Sequence, residues 1–371
     1  MGVLQDAATA AEIARNGATE AEAARRLPVA TVEALAENGM LTLCLPEAYG
    51  GPGVDPLTFV RAVEVVSRGD GAAGWATMIG STTSSMGAFL DRVTAHEIFP
   101  SPAARTAGVF APNGEGAREG DGYRVAGRWQ WGSGSQHSSW IMGGVRCDDG
   151  TERSCFFRAD DVEFHDTWYT SGLRGTGSVD YSVDGAFVPE RMTIQPGVSR
   201  AQVDAPLARF PNFTLLAIGI AAASIGIARS ALDELVAIAG DKRPQFSSKT
   251  LAASGFAQTE LARAESQWRA ARAYLHDEIG RAWETSLVGD PVPVSARVGM
   301  RLAAAHAATA CSGVADAAFT IAGGSAVYDT SVLGRCLRDA HVVPQHIMVA
   351  PKINETLGKF LMGVDLDTRM I

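Results

Sequence analysis

Cysteine is sparse in this sequence, which has five in 371 residues. Cys44, Cys147, Cys155, Cys311 and Cys336 are scattered, and no two have CxxC spacing. An odd number of isolated cysteines indicates reduced thiols and argues against a disulfide framework or structural zinc. The histidines and carboxylates show no metal-ligand spacing either. We therefore predict a cytoplasmic protein that binds no metal.

Basic residues are fewer than acidic ones: the formal net charge is −9, and no basic run occurs. This balance argues against a surface that binds nucleic acid or anionic lipid. The N-terminus has neither the basic nor the apolar region of a signal peptide. The longest apolar run, residues 215–228, is shorter than the roughly 20 residues that span a bilayer. We therefore expect a buried helix there, and neither nucleic acid nor a membrane as a partner.

Two common catalytic sites are not indicated. The one GxGxxG match, GDGAAG at 69–74, lies among helical segments with no strand-like run before it, so the sequence shows no Rossmann nicotinamide site. Without GxSxG it shows no hydrolase elbow. What it has instead is GRWQWGSGSQHSSW at 127–140. Trp129 and Trp131 alternate with polar residues, as in a strand, and a run of glycine and serine follows. This pattern suits a planar, hydrogen-bonding ring such as flavin, or else a hairpin with core tryptophans and an ordinary turn.

The pattern of hydrophobic residues changes twice along the chain. Helical segments fill the first hundred residues, and short strand-like runs separated by Gly, Asp and Ser follow. Helical periodicity returns near Phe213 and continues through four segments, which suggests an up-down bundle. We predict a mainly α protein with an N-terminal α-helical domain at 1–105, a middle antiparallel β-domain at 106–205 and a C-terminal four-helix bundle at 206–371.

Four segments resemble signatures of the acyl-CoA dehydrogenase fold family, in the same order and spacing. They are LPEAYGGPGVD at 45–55, GYRVAGRWQWGSGSQHSSW at 122–140, WYTSGLRGTGSVDYSVDGAFVPE at 168–190 and IAGGSAVYDTSVLGRCLRDAH at 321–341. The resemblance implies an α-domain, a β-barrel and a four-helix bundle. It also implies a homotetramer, built as a dimer of dimers, with flavin sites at subunit interfaces.

The sequence departs from the dehydrogenases at the catalytic base. Dehydrogenation requires a carboxylate that removes a proton next to a thioester carbonyl. Counted from the RDA motif, that position falls on Ile347, and the family's alternative position falls near 243–245, where there is no carboxylate either. Glu355 lies nearby and would serve only with a shifted alignment.

Other residues resemble the flavin-dependent monooxygenase branch of the family. This resemblance is carried by FAPNGEG at 110–116, the GSG loop, His341 and Gln345-His346. It implies an enzyme that receives reduced flavin, FADH2 or FMNH2, from a separate NAD(P)H-flavin reductase. With O2 it would form a C4a-hydroperoxyflavin and hydroxylate an aromatic or otherwise electron-rich small molecule.

The resemblance also assigns roles to individual residues. Ser133 would bond to flavin N5, and Trp129 and Trp131 would keep water from the ring. His346 would deprotonate a phenol or hold the peroxide proton, tasks that suit a pKa near about 6.5. Asn113 would hold the peroxide or the substrate.

Further cofactor contacts each have a structural alternative. Arg174 and Thr176 would contact flavin or only shape a turn. Arg243 would reach the flavin phosphate of a neighbouring subunit, or interact with a helix dipole. The pair Gly323-Gly324 would let a flavin phosphate approach the backbone closely, or would simply end a helix. His341 suits a structural hydrogen bond better than catalysis.

Three other functions stay open at this stage. One is an acyl-CoA dehydrogenase or CoA-ester oxidase, another is an N-oxidising enzyme of the nitrososynthase type, and the last is a catalytically silent scaffold. The sequence distinguishes neither FAD from FMN nor one substrate from another.

Overall fold

The computed structural model describes residues 2–289, 291–368 and 371. Helices come first along the chain, strands follow, and helices return, as the sequence predicted. The α-helices within these residues are α1 Val3–Ala24, α2 Val29–Glu37, α3 Pro56–Gly69, α4 Gly71–Ser84, α5 Arg92–Ile98, α6 Asn212–Ala239, α7 Gly255–Leu287, α8 Val294–Ala322, α9 Val332–Val342 and α10 Ile353–Leu361.

Helix boundaries in the N-terminal part follow local signals in the sequence. Helix α3 begins at Pro56, whose fixed φ suits a first helical position. Asp70 caps α4, because its Oδ2 accepts a hydrogen bond from the Ala73 N–H at 2.9 Å. Asp91 caps α5 in the same way and accepts from the N–H groups of Val93 and Thr94. These caps satisfy backbone donors that the first helical turn leaves without partners.

The middle segment forms one mixed seven-stranded sheet. Its strands are β1 Thr106–Glu119, β2 Gly122–Trp129, β3 Trp140–Cys147, β4 Glu152–Arg158, β5 Glu163–His165, β6 Asp180–Pro189 and β7 Thr193–Ile194, in the order β5-β6-β2-β1-β3-β4-β7. The expectation of a purely antiparallel barrel is wrong, because β1 pairs with β3 in parallel. This pairing joins strands that are separated along the chain by β2, and local periodicity carries no signal for it.

The core of the sheet is built around the indole of Trp129. Trp129 is completely buried and stacks on Tyr181, with 5.3 Å between ring centroids. Its Nε1 donates to the carbonyl of Gly144 at 2.8 Å. Glycines on neighbouring strands make room for the ring, since a Cβ at Gly114 or Gly143 would lie 2.5 or 2.6 Å from its atoms. Trp129 is therefore a core residue.

The chain divides into two compact units. One contains the residues up to Asp55, 75–170 and 174–209, and the other contains 56–74, 171–173 and the chain from Phe210 onwards. Helix α3 thus belongs with the C-terminal helices. Gly226 on α6 permits this packing, because a Cβ there would lie 2.5 Å from the carbonyl oxygen of Glu64 on α3.

The C-terminal helices are less equal in length than the helices of a regular four-helix bundle. Helices α6, α7 and α8 have 28, 33 and 29 residues, whereas α9 has 11 and is followed by α10. Among the described residues, α6 and the stretch Val294–Val327 are long and apolar enough to cross a membrane by length and composition alone. In α6, 89% of that apolar stretch is buried inside the protein, as expected for a buried helix.

Candidate functional site

The loop after β2 brings the glycine-serine run against residues 176–179. Two of its residues have left-handed backbones, Trp131 with φ 62° and Gly134 with φ 74°. The N–H of Gly132 donates to the Val179 carbonyl at 2.9 Å, and the N–H of Gly134 donates to the Thr176 carbonyl at 3.2 Å. These bonds fix the position of Ser133, which lies between the two glycines.

Ser133 belongs to a chain of four hydrogen-bonded side chains. The Trp75 Nε1–H donates to Ser133 Oγ at 3.1 Å. Ser133 Oγ lies 2.6 Å from Ser178 Oγ, which lies 2.7 Å from Thr176 Oγ1. All four residues are between 2% and 6% exposed. Since a hydroxyl can make three hydrogen bonds, Ser133 retains the capacity for one more.

The two tryptophans of the motif have opposite environments. Trp129 lies in the sheet core and has no exposed surface, so its assignment to a flavin wall is contradicted. Trp131 is 67% exposed and directly precedes the Gly132-Ser133 pair. A bulky residue in the left-handed region is strained, and such strain is concentrated at functional sites. Trp131 therefore keeps its place as the candidate wall.

The other candidates in this unit are less tightly organised. The Arg174 Nε donates to the Glu22 carbonyl at 3.2 Å, which fixes the beginning of the turn that contains Thr176. Asn113 is exposed on β1, where the register with β3 shifts between Pro112 and Gly114. No further contact of Asn113 distinguishes its two proposed roles.

His346 lies in the second unit, just after α9 and a 3-10 turn at Val343–Gln345. Its Nδ1 accepts a hydrogen bond from the Met348 N–H at 3.2 Å. Burial lowers the pKa of His346 to about 4, and the nearby positive charge of Arg301 lowers it further. The imidazole is thus neutral near pH 7, and because Nδ1 accepts, its proton lies on Nε2. The premise of an unperturbed pKa is wrong for this residue.

Arg301 is a buried cation that sequence reasoning missed. Its side chain has no exposed surface, and one of its guanidinium nitrogens donates to the Met348 carbonyl at 2.8 Å. Burial lowers its pKa to about 10. Arg301 comes from α8, far from His346 in sequence, so only the folded structure brings the two together.

The positions that would carry a dehydrogenase base are unsuited to it. Ile347 is apolar and 69% exposed. Glu355 is exposed on α10 and forms an ion pair with Lys359, with 3.1 Å between the charged atoms. His341 is also exposed, and its Nε2 lies 2.9 Å from Asp316 Oδ1, as expected for a structural hydrogen bond.

The candidate phosphate contacts lie on the surface of the second unit. Gly323 ends α8 with φ 66°, and Cβ atoms at Gly323 and Gly324 would meet no other heavy atom within 4 Å. Arg243 is exposed and donates to the Ser248 carbonyl at 2.8 Å. Lys242, which the sequence analysis did not select, donates to the hydroxyl of Ser325. A cation therefore lies beside the glycine pair.

The residues present suit a flavin. A buried hydroxyl with one free hydrogen-bonding position and an exposed indole match a planar heteroaromatic ring. Exposed cations and open glycine backbone match a phosphate. Sequence reasoning missed Ser178 and Trp75 in the first unit; the small residues of TGS at 176–178 were a local signal for the former.

Comparison with known proteins agrees with these observations. Models of the acyl-CoA dehydrogenase N-terminal and C-terminal domains match residues 6–97 and 218–351. Indole-3-acetate monooxygenase of Pseudomonas putida is 33% identical over 90% of this chain and 86% of its own length. The flavin-dependent monooxygenase oxygenase subunit HsaA of Rhodococcus jostii is 30% identical over 91% of this chain and 92% of its own.

A solved structure agrees at the level of the whole fold. XiaF from Streptomyces, in complex with FADH2 and glycerol, has a TM-score of 0.91 and 25% identity, covering 98% of this chain and 95% of its own. The architecture and family that the four sequence segments predicted are confirmed. The chain belongs to the acyl-CoA dehydrogenase fold family, in its branch of flavin-dependent monooxygenases.

Proposed function

We propose that this protein is the oxygenase component of a two-component monooxygenase that acts on an aromatic or electron-rich small molecule. The name of the Pseudomonas putida relative supports an aromatic substrate, and the name of the Rhodococcus jostii relative, an oxygenase subunit, supports a separate reductase. The observation that carries the proposal is the neutral imidazole of His346 next to Ile347, where a dehydrogenase has a carboxylate base.

The rival reaction, dehydrogenation of an acyl-CoA, lacks a base. The side chain of Ile347 cannot accept a proton. Glu355 lies on α10, is exposed and forms an ion pair with Lys359, so its carboxylate remains in water.

Reduced flavin supplies the electrons that activate O2 when it is bound. Ser133 offers its remaining hydrogen-bonding position to flavin N5, and Trp131 covers the ring with an apolar surface. Exclusion of water matters, because water allows the activated oxygen to be lost as H2O2. Because His346 is neutral and its Nδ1 is occupied, it acts as a hydrogen-bond donor toward substrate oxygen, and its low pKa makes it a weak base.

The cofactor's phosphate end and the assembly belong to the same proposal. Lys242, Arg243 and the Gly323-Gly324 backbone receive a flavin phosphate, and the cofactor is FADH2 or FMNH2. The resemblance to the acyl-CoA dehydrogenase fold family supports a homotetramer with flavin at subunit interfaces. Sedimentation at micromolar concentration tests the assembly, and a monomer there would contradict it.

The test of the function combines flavin binding with isotope transfer. Purified protein is titrated without oxygen with FADH2 or FMNH2, then mixed with ¹⁸O2 and a panel of indolic and phenolic compounds. We expect one ¹⁸O atom in the product, and mass spectrometry also detects oxygen placed on nitrogen. Reduction of bound oxidised flavin by an acyl-CoA would instead establish a dehydrogenase. Failure to bind flavin in either redox state would indicate a silent scaffold.

A further inference from the structure

The Ser133 hydroxyl has a restricted choice of hydrogen bonds. It has one proton to donate and two lone pairs with which to accept. The indole N–H of Trp75 can only donate, so it occupies one lone pair at 3.1 Å. Ser178, 2.6 Å away, uses either the proton or the second lone pair. The direction of the Ser133–Ser178 bond therefore decides whether the remaining position is an acceptor or a donor.

The direction of that bond is coupled to the next hydroxyl in the chain. Ser178 has a single proton, which goes either to Ser133 or to Thr176 Oγ1 at 2.7 Å. When Ser178 donates to Thr176, it can accept the proton of Ser133, and Ser133 then presents a lone pair. When Ser178 donates to Ser133, both lone pairs of Ser133 are occupied and its proton is presented. Ser133 and Ser178 are 6% and 2% exposed, so water is a poor substitute for either partner.

Flavin N5 changes its hydrogen-bonding character with the redox state of the ring. In oxidised flavin N5 has a lone pair and accepts, whereas in reduced flavin N5 carries a hydrogen and donates. Ser133 must therefore donate to the oxidised ring and accept from the reduced ring. These two demands correspond to the two directions of the Ser133–Ser178 bond.

We propose that Ser178 is a positioning residue that favours reduced flavin by accepting the Ser133 proton, so that Ser133 accepts from N5–H. The inference rests on the proposed function, in which Ser133 contacts N5. Without the Ser178 hydroxyl, reduced flavin leaves the Ser133 proton buried without a partner, which is costly. With oxidised flavin, Ser133 still donates its proton to N5 when the Ser178 hydroxyl is missing. Only one lone pair of Ser133 then loses its partner.

The experiment measures the dissociation constants of reduced and oxidised flavin for the same apoprotein. Ser178→Ala should lower the ratio of the oxidised to the reduced dissociation constant by about fivefold or more, the size expected for one hydrogen bond. By the thermodynamic cycle, a fivefold fall in this ratio lowers the two-electron midpoint potential of flavin bound to Ser178→Ala by about 20 mV compared with flavin bound to the wild type. Anaerobic titration gives the ratio, and redox titration of the complex gives the shift independently of turnover.

Two matched variants serve as controls. Trp75→Phe removes a hydrogen bond to the same oxygen, but Ser133 can still either donate to flavin N5 or accept from it. The dissociation constants of reduced and oxidised flavin should therefore change together, and their ratio should not change. Ser138→Ala removes a buried serine hydroxyl of the same loop that donates to the Gly134 carbonyl at 2.9 Å. It should also leave the ratio unchanged. If Ser178→Ala does not fold in thermal unfolding, Thr176→Val decides, because it directs the Ser178 proton to Ser133 and should lower the ratio too.

The outcomes separate this inference from the proposed function. If the wild type binds neither form of flavin, or Ser133→Ala binds both with unchanged affinity, the N5 contact fails and the inference fails with it. If Ser133→Ala weakens reduced flavin while Ser178→Ala keeps the wild-type ratio, only the role of Ser178 is overturned.

Discussion

The carboxylate of Asp339 accepts a hydrogen bond from the backbone N–H of Leu173, with 2.6 Å between Oδ1 and N. Asp339 is 6% exposed on α9, and Leu173 has a left-handed backbone with φ 49°. A Cβ at Gly172 would lie 2.3 Å from the Arg338 carbonyl oxygen, so the chain passes very close to α9. Asp339 thus fixes the backbone of Leu173 beside α9.

Asp339→Ala should lower the free energy of unfolding by about 1.5–3 kcal/mol, because a buried N–H loses a charged acceptor. Urea denaturation measures this change. Asp316→Ala is the matched control, since Asp316 bonds to His341 on the surface, and there we expect less than about 1 kcal/mol. Equal losses in the two variants would show that the Leu173 bond adds no stability.

The two tryptophans of the motif should separate stability from cofactor binding. Trp129→Leu removes a buried ring and should destabilise the fold by about 3 kcal/mol. Trp131→Gly should leave stability nearly unchanged, because glycine tolerates the left-handed backbone. The same variant should weaken flavin binding, which anaerobic titration measures. Unchanged affinity in Trp131→Gly would remove the exposed indole from the flavin site.

His346 should affect the use of oxygen more than the consumption of reductant. In His346→Ala the substrate loses its hydrogen-bond partner, so oxygen should leave as H2O2 while NADH oxidation by the reductase continues. Loss of one hydrogen-bond donor of this kind should lower the coupled rate roughly two- to tenfold. His346→Asn should keep part of the coupled rate, because its amide can still donate a hydrogen bond to the substrate oxygen.

Glu355→Gln is the corresponding control on α10. It removes the charge of Glu355 with little change in side-chain size, and the ratio of product to H2O2 should stay at the wild-type value. Thermal unfolding checks that all three variants are folded. Wild-type coupling in both His346 variants, together with an inactive Glu355→Gln, would reverse the assignment and restore the dehydrogenase.

Acid should destabilise the protein through two half-buried histidines. Burial lowers the pKa of His137 and of His346 to about 4, with help from the charges of Arg105 and Arg301 respectively. The unfolded chain binds these protons near pH 6.5, so between pH 6.5 and 4 it holds more protons than the native state.

The free energy of unfolding should therefore fall as pH decreases through this window, by on the order of 2–3 kcal/mol for each histidine. Urea denaturation at a series of pH values measures the slope. His137→Gln and His346→Gln should each flatten it, because glutamine does not titrate. A variant that retains the full wild-type slope would show that its histidine is not the group responsible.

The sequence by itself determined the order of helical and strand-rich segments, the capping of a helix at Asp70, and the family. These follow from local periodicity, from side chains that reach backbone groups a few residues away, and from motifs read in order. Ser133 was also identified in this way, because the loop around it has a recognisable composition.

The tertiary structure decided which residues face which partners. Trp129 and Trp131 alternate and so should share a strand face, but β2 ends at Trp129 and the left-handed backbone of Trp131 separates the two rings. The parallel pairing of β1 with β3, the Ser133–Ser178 bond across 45 positions and the lowered pKa of His346 beside Arg301 also appear only in the fold. Each depends on groups far apart in sequence, whose proximity is set by the packing of whole elements and leaves no periodic signal in the chain.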